Sequence, residues 1–203
     1  MGIWYIMWVV IFMKCIKCDS SYEICIKGSK FIGFSYRVWN GDDVAKRINE
    51  IRERFKGATH YCYGYVINGY IKCSDDGEPS GTAGAPILNV IKGQELNFVL
   101  IIVVRYFGGT LLGAGGLVRA YSECAKGAIL EAEIGEIVSG KRIEIVFDYD
   151  KSDYINYMFK ESEVVSKDFG ERVRYVVRVN MDLYDKVKVM NGVRIVSEED
   201  IYI

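Results

Sequence analysis

Residues 98–121 read FVLIIVVRYFGGTLLGAGGLVRAY, which is an apolar strand, a glycine-rich loop and the beginning of a helix. The strand, Leu96–Tyr106, is apolar without alternation, as expected for a central strand that is buried on both faces. Helical spacing returns over Gly116–Ala132. Glycine costs the folded state backbone entropy, so clustered glycines indicate positive φ angles or a close approach to another group. The stretch therefore predicts a loop that meets a partner.

The main-chain amides of this loop are candidates for binding an anion. The N–H groups at a helix start attract negative charge, and the helix dipole adds to their pull. We expect a nest of amides between two cationic side chains, Arg105 and Arg119; its glycines are Gly108, Gly109, Gly113, Gly115 and Gly116. The alternative is that the glycines only let a strand turn tightly into a helix. Neither G-x-x-x-x-G-K-[ST] nor G-x-G-x-x-G is present, so the usual modes of ATP or dinucleotide binding are not indicated.

A second glycine-rich stretch, SDDGEPSGTAGAP, covers residues 74–86. Its three carboxylates, on Asp75, Asp76 and Glu78, have the chemistry to hold Mg²⁺ or to act as a general base. Asp-Asp-Gly is equally typical of a tight turn, in which an Asp side chain bonds its own backbone. In that interpretation Ser80 or Thr82 caps a short helix over Gly81–Lys92. In either case we expect this loop to form one wall of a cleft.

His60 is the single histidine of the chain. In the predicted strand Thr59–Ile67 it shares a face with Cys62, while Tyr61 and Tyr63 lie on the other face. We expect a buried His60 with a main-chain partner rather than a catalytic Cys–His pair, because no third orienting group is evident. The tyrosines either stack on RNA bases or cover a helix packed on their face.

Six cysteines without a secretory signal predict free thiols in a reducing cytosol. The Cys15-x-x-Cys18 pair has the one spacing with a metal or redox meaning. A zinc site requires two more ligands, and the candidates are irregularly spaced: Cys25, His60, Cys62 and Cys73. We therefore predict no metal and no cofactor.

The first twelve residues, Met1–Phe12, are nearly all apolar. They are too few for a membrane span of about 20 residues and lack the features of a signal peptide. We interpret them as an apolar extension or a mis-called start before Met13, in a cytoplasmic protein. The net charge is −1, which argues against nucleic-acid binding by bulk electrostatics, so any RNA contact requires a local patch.

Both glycine-rich stretches closely resemble the signature of the YigZ/IMPACT family. The resemblance begins at KGSKFIG (27–33) and ATHYCYGY (58–65) and continues to Ala125. It implies an N-terminal α+β two-layer fold like that of a small-subunit ribosomal protein and of domain IV of elongation factor G. Eukaryotic members resemble regulators of translation under stress, so the resemblance implies RNA, the ribosome or a translation-regulating protein as partner.

The remaining pattern predicts a two-domain α+β protein. A hairpin over Tyr22–Val38 precedes a helix with Val44, Ile48, Ile51 and Phe55 on one face, and Asn68-Gly69 marks a second hairpin. After a boundary at Glu133–Gly140, the order βαββαβ is that of a ferredoxin-like fold. We assign residues 13–135 to the N-terminal domain, 136–140 to a linker and 141–203 to the ferredoxin-like domain.

These observations favour a non-enzymatic binding protein that acts on translation. In this hypothesis Arg105, Arg119 and the Gly108–Gly116 backbone meet phosphate or an acidic partner. The alternative is a small-molecule phosphotransferase whose glycine loop holds ATP while the acidic residues hold Mg²⁺. A third hypothesis is a protein-interaction adaptor, since eukaryotic members resemble competitors for an activator of a stress kinase.

Overall fold

The computed structural model describes residues 13–203. This range separates into two compact units, Met13–Glu136 and Ile137–Ile203. Each unit combines helices with an antiparallel sheet, which confirms the α+β class predicted from the sequence. The predicted extension or mis-called start, residues 1–12, lies outside the described residues.

The N-terminal unit alternates strand pairs with helices. In chain order its elements are β1 (Met13–Ile16), β2 (Ser20–Ile26), β3 (Ser29–Arg37), α1 (Gly41–Arg54), β4 (His60–Ile67), β5 (Tyr70–Ser74), α2 (Gly84–Gly93), β6 (Val99–Tyr106), α3 (Gly113–Ala132) and β7 (Ile134–Ile137).

Strand β6 is the centre of the five-stranded sheet, whose order is β2-β3-β6-β4-β5. Every residue from Val99 to Arg105 is buried, as the unbroken apolar pattern predicts. Helix α1 covers one face through Val44 and Ile51, while α2 and α3 cover the other. The sheet therefore lies between helices, and the C-terminal end of β6 leads directly to the start of α3.

Local sequence signals place the boundaries of these elements. Asn40 accepts the amides of Asp42 and Asp43 and so caps α1. Asn68 and Gly69 both have positive φ angles, +47° and +79°, as the two-residue turn between β4 and β5 requires. Both predicted hairpins are confirmed by antiparallel pairing, β2 with β3 and β4 with β5.

The C-terminal unit has the predicted order βαββαβ. Its elements are β8 (Ser139–Phe147), α4 (Ser152–Met158), β9 (Glu163–Phe169), β10 (Val173–Asn180), α5 (Met181–Lys188) and β11 (Val193–Tyr202), and the sheet order is β11-β8-β10-β9. Strand β11 is longer than the apolar pattern Val193–Val196 suggests, because it pairs with β8 as far as Ser139. An internal core of alternating strand residues, such as Ile143, Val177 and Val179, holds this unit together.

The boundary segment contains a strand that hydropathy does not reveal. Residues Ile134–Ile137 form β7, which pairs with β1. Four residues are too few to show a period of two, so the sequence indicates only a domain boundary in this segment. Within residues 13–203, no helix has the length and apolar character required to cross a membrane.

Candidate functional site: a cleft at the start of helix α3

A cleft of about 410 Å³ opens where β4 begins, β6 ends and α3 starts. The strand register places His60 opposite Arg105, so both side chains reach the cleft floor. The lining residues are Thr59, His60, Gly77, Glu78, Pro79, Arg105, Phe107, Leu111, Leu112, Gly113, Ala114 and Leu117. The two glycine-rich stretches therefore form facing walls, with a polar floor between them.

The floor is built on a buried ion pair between Arg105 and Glu78. Arg105 Nη1 donates to Glu78 Oε1 over 2.6 Å, and the two side chains are 6% and 3% exposed. The Tyr121 hydroxyl donates to the same oxygen over 2.7 Å. Arg105 Nη2 lies 3.4 Å from Ser29 Oγ. Because the carboxylate neutralises the guanidinium, Arg105 is not a free cation, and the pair is expected to fix the floor rather than attract ligands over a distance.

His60 and Cys62 extend this network along β4. His60 Nδ1 lies 2.8 Å from the carbonyl oxygen of Asp76, so Nδ1 carries the proton, and Nε2 faces Glu78 Oε2 at 3.9 Å. His60 thus has the main-chain partner expected from the sequence. Cys62 Sγ lies 3.3 Å from the Tyr121 hydroxyl. Burial raises the pKa of Cys62 to about 12 and also raises the pKa of Tyr121, so both groups stay protonated.

The carboxylates of Asp75 and Asp76 point to separate partners. Asp75 Oδ1 accepts the amides of Ala83 and Gly84 at 3.0 and 2.8 Å, and Oδ2 accepts that of Gly81 at 2.8 Å. Asp76 Oδ1 binds Arg52 over 2.6 Å. With Glu78 bound to Arg105, the three carboxylates share no ligand position. Among residues 13–203, no group of three His, Cys, Asp or Glu side chains is arranged to hold a metal ion.

The glycine loop, residues 107–113, has internal reasons for some of its glycines. A Cβ on Gly108 would overlap the backbone of Gly28, and Gly109 and Gly113 have φ angles of +83° and +71°. The amide of Gly108 donates to Ser29 Oγ over 3.1 Å, so it is already occupied. A Cβ on Gly115 would meet no atom within 4 Å, so packing does not require glycine there.

Helix α3 begins without the usual neutralisation of its positive end. Its N-cap, Leu112, makes no side-chain hydrogen bond, and its first turn contains no acidic residue. Within the described chain, the structure gives no hydrogen-bond partner to the amides of Gly109, Thr110 and Leu111. Free amides and a helix start are the groups that bind anions in many proteins.

Comparisons with known proteins bear on this site. The sequence model of the Impact N-terminal domain matches residues 27–129, which include both walls of the cleft. This chain belongs to the IMPACT family. IMPACT family member YvyE of Bacillus subtilis is 35% identical over 180 residues, which cover 87% of this chain and 81% of the relative.

Other IMPACT relatives match over different lengths. YigZ of Escherichia coli is 40% identical over 102 residues, 47% of this chain and 50% of the relative. The crystal structure of a hypothetical protein superposes with a TM-score of 0.66 over 92% of this chain and 97% of its own. Since that protein is only 22% identical, the likeness shows the fold alone.

Some predicted site residues of this IMPACT-family chain lie away from the cleft lining. Arg119 is exposed on α3, and its Nε donates to Gly115 O over 3.3 Å. Thr82 Oγ1 donates to Pro79 O, and Ser80 is exposed. Neither hydroxyl caps α2, because Asp75 supplies that cap; the helix therefore begins at Gly84 rather than at Gly81.

The tyrosine row of β4 lies on the opposite face of the sheet from the cleft. Tyr61 and Tyr63 pack against the core that α1 covers, and the Tyr61 hydroxyl donates to Phe55 O over 2.7 Å. Packing under a helix therefore accounts for both side chains, which was the second of the two interpretations offered from the sequence.

The six cysteines are all free thiols. Cys15 is buried and Cys18 exposed, and their sulfurs contact different carbonyl groups, Phe98 O and Ala132 O. Cys25 and Cys73 are exposed. The C-x-x-C spacing therefore spans the end of β1, and the two thiols contact different carbonyl groups.

Sequence reasoning did not identify several residues that build the cleft. Tyr121 and Ser29 hold the ion pair, while Phe107 and Leu111 form the apolar wall. One available signal was Arg105 itself, because an arginine within a strand buried on both faces requires a carboxylate partner. The partner is 27 residues earlier, and no local periodicity indicates such a distance.

Proposed function

We propose that this protein is a non-enzymatic regulatory protein of the IMPACT family that acts on translation in the cytoplasm. It binds an anionic group of its partner, which is RNA, the ribosome or a translation-regulating protein, in the cleft at the start of α3. The observation that carries the proposal is the uncapped start of α3 at residues 112–114 on one wall of this cleft, next to Leu111, whose amide has no hydrogen-bond partner among the described residues. The proposed role in translation rests on membership of the IMPACT family and not on the geometry of the cleft.

The cleft floor carries no net charge from its ion pair, so an anion is attracted only at short range. Arg105 and Glu78 cancel each other's charge, so the attraction for an anion comes from main-chain donors and the helix dipole. Such attraction falls off within the first turn of a helix. A partner must therefore place its anionic group directly against residues 111–114, which favours specific recognition over general binding to polyanions.

The chemistry of the floor supports a binding role over the phosphotransferase alternative. A phosphotransferase needs a Mg²⁺ site beside its phosphate loop, but Asp75, Asp76 and Glu78 are each occupied by different donors. The Cys62 thiol, with its pKa raised to about 12 by burial, is a poor nucleophile at neutral pH. Calorimetric titration with ATP and Mg²⁺ discriminates between the two functions, and micromolar binding would contradict our proposal.

Ribosome association tests the proposal directly. We expect the protein to cosediment with purified ribosomes or their subunits at low salt. Leu111, which is 85% exposed at the cleft wall, offers a variant that keeps the fold. Leu111→Asp places a carboxylate beside the anion site, so we expect association to weaken at least about tenfold, which corresponds to about 1.4 kcal/mol.

Leu130→Asp is the matched control, because Leu130 is 78% exposed on α3 and does not line the cleft. It makes the same chemical change at a similarly exposed leucine outside the cleft and should leave association unchanged. Equal losses in both variants would contradict a role for the cleft. If the unmodified protein associates with no ribosomal particle at low salt and with no translation factor, the proposed function is wrong.

A further inference from the structure

Two hydrogen-bond acceptors lie side by side on the cleft floor. His60 Nδ1 carries the proton that is donated to Asp76 O, so His60 Nε2 is a lone-pair acceptor. It lies 3.9 Å from Glu78 Oε2, which exceeds the length of a hydrogen bond. Arg105 and Tyr121 both donate to the other carboxylate oxygen, Oε1. Neither Nε2 nor Oε2 therefore has a donor within hydrogen-bond distance among the described residues.

Both acceptors are accessible to a ligand. The side chains of Glu78 and His60 are 3% and 19% exposed, and both line the cleft. Within residues 13–203, Arg105 Nε and Ser152 Oγ are the enclosed side-chain atoms that lack a hydrogen bond. Glu78 Oε2 and His60 Nε2 are not among them, so each has some accessible surface. Because buried polar groups of native proteins are usually paired, this nearly buried carboxylate indicates a donor that comes from a ligand.

The distance between the two acceptors suits a single nitrogen with several hydrogens. A donor atom about 2.9 Å from each acceptor can bridge two atoms that are 3.9 Å apart. An ammonium carries three N–H groups on one nitrogen, whereas the guanidinium of arginine spreads its donors over a planar fork. The geometry therefore favours a primary amine.

The charges of the neighbouring loop favour a cationic amine over a neutral donor. Two of the three carboxylates within residues 75–78 are paired with arginines, whereas Asp75 is bound only by main-chain amides. These carboxylates therefore exceed the cations bound to them by one charge. The pKa of Cys62, two residues along β4 from His60, is raised first by burial and further by the negative charges of the same carboxylates. Negative charge at the floor attracts a cation.

The apolar wall above the floor suits the stem of a lysine side chain. Leu111 and Phe107 are 85% and 46% exposed, and Leu112 and Leu117 line the cleft beside them. Large apolar side chains that remain exposed around a concave site indicate a partner with apolar surface of its own. Lysine side chains bury their methylene stems along such surface.

We infer that the cleft floor binds the ammonium group of a lysine side chain of a partner protein. The ammonium donates to Glu78 Oε2 and His60 Nε2. Its methylene stem packs on Leu111, Phe107 and Leu117. The inference rests on the proposed function in using the same cleft, where the start of α3 takes the partner's anionic group and the floor takes its lysine. RNA has no aliphatic ammonium, so the partner is a protein, which includes the proteins of the ribosome.

A methylated lysine tests the inference on the full-length protein. His60 is the single histidine of the chain, so its ring Hε1 resonance reports on the floor alone in NMR titrations. We expect Nα-acetyl-lysine amide to shift this resonance saturably. The Nε-trimethylated form keeps the charge and the stem but has no N–H group, so we expect it to bind at least tenfold more weakly. Equal affinity of the two forms, or no shift with either, would overturn the inference.

Two further ligands identify the source of the amine. Putrescine carries an ammonium on a four-carbon chain without a peptide unit, and we expect it to bind no more tightly than the lysine derivative. Tighter binding of putrescine would overturn the assignment to a protein side chain. So would tighter binding of cytidine, whose amino group is neutral and belongs to RNA.

Variants beside the floor assign the binding to the cleft. In Glu78→Gln the amide oxygen faces the donors Arg105 and Tyr121, so the NH2 group faces the cleft and binding should weaken at least tenfold. Leu111→Lys keeps the floor intact and should weaken the lysine derivative at least about threefold by charge repulsion. Leu130→Lys, at a position that is 78% exposed and outside the cleft, should leave the affinity within twofold. Equal affinities of the Leu111→Lys and Leu130→Lys variants would overturn the inference, whatever the stability of Glu78→Gln.

The sign of the charge effect separates this inference from the proposed function. Leu111→Lys weakens a cation on the floor but strengthens an anion at the start of α3. Ribosome association that depends on Leu111, without any binding of the lysine derivative, would overturn the inference and keep the function. Binding of the lysine derivative that trimethylation abolishes, without association with ribosomes or translation factors, would support the inference and contradict the function.

Discussion

At the scale of single residues, the Arg105–Glu78 pair dominates the N-terminal unit. Both side chains are buried. The Tyr121 hydroxyl donates a further hydrogen bond to Glu78, and Ser29 Oγ accepts one from Arg105. A buried pair contributes little against an apolar replacement, but loss of one partner leaves an uncompensated buried charge. The pair therefore constrains which substitutions the cleft floor tolerates.

We expect Arg105→Ala to lower the free energy of unfolding by about 3–5 kcal/mol, because Glu78 remains buried without its cation. Arg119→Ala is the control, since Arg119 is exposed, and we expect a change within about 0.5 kcal/mol. Urea unfolding followed by circular dichroism measures both. The double variant Glu78→Gln, Arg105→Ala should lose less free energy of unfolding than the sum of the losses in the two single variants. Additive losses would contradict an energetic coupling between the two side chains.

At the scale of elements, Asp75 connects the turn after β5 to the start of α2. Burial alone would raise its pKa, but hydrogen bonds from the amides of Gly81, Gly84 and Ala83 outweigh burial and hold the pKa of this carboxyl below its usual value. The pKa of Asp75 is therefore lower in the folded protein than in the unfolded chain, where it is about 4. The ionised carboxylate stabilises the fold at pH values above 4, and this stabilisation is lost as the pH falls through the pKa of the folded protein.

We expect Asp75→Asn to destabilise the protein by about 1–3 kcal/mol at pH 6–7, because an NH2 group replaces one of the two oxygens that accept main-chain amides and leaves a donor unpaired. The difference in the free energy of unfolding between this variant and the unmodified protein should shrink steadily below pH 4. Protonated Asp75 is neutral, so the negative charge no longer strengthens its hydrogen bonds to the main-chain amides. Urea midpoints measured between pH 7 and pH 2.5 provide the test. A difference that is independent of pH would show that the charge of Asp75 does not contribute.

Most elements could be predicted from local sequence, whereas the site chemistry could not. Asn68-Gly69 specified its turn and the unbroken apolar run specified β6, because backbone geometry and burial act locally. The start of α2 was wrong by three residues because its cap, Asp75, lies nine residues before Gly84. The neutralisation of Arg105 depends on Glu78, on a different segment, so the sequence indicated a free cation where the fold forms an ion pair.

At the scale of the whole molecule, the chain consists of two units with separate cores. Residues Ile137–Ile203 form a closed βαββαβ arrangement with its own buried cluster. The proposed site lies wholly in Met13–Glu136. The binding activity and the ferredoxin-like unit are therefore expected to be separable.

We expect residues 137–203, expressed alone, to fold cooperatively with a free energy of unfolding of about 3–10 kcal/mol, the usual range for a domain of this size. Urea unfolding followed by circular dichroism measures it. Val177→Asp, in the core, should abolish the transition, and Val165→Asp, at a 45% exposed position, should preserve it. A fragment without a cooperative transition would contradict the independence of this unit.

The position of β6 has a consequence for biosynthesis. It lies between β3 and β4 in the sheet but follows both in the chain, after β5 and α2. A nascent polypeptide therefore presents two hairpins, each with an unpaired inner edge, until Val99–Tyr106 has been translated. Unpaired edges are templates for intermolecular pairing. We therefore expect chains truncated before residue 99 to aggregate more readily than chains that contain β6.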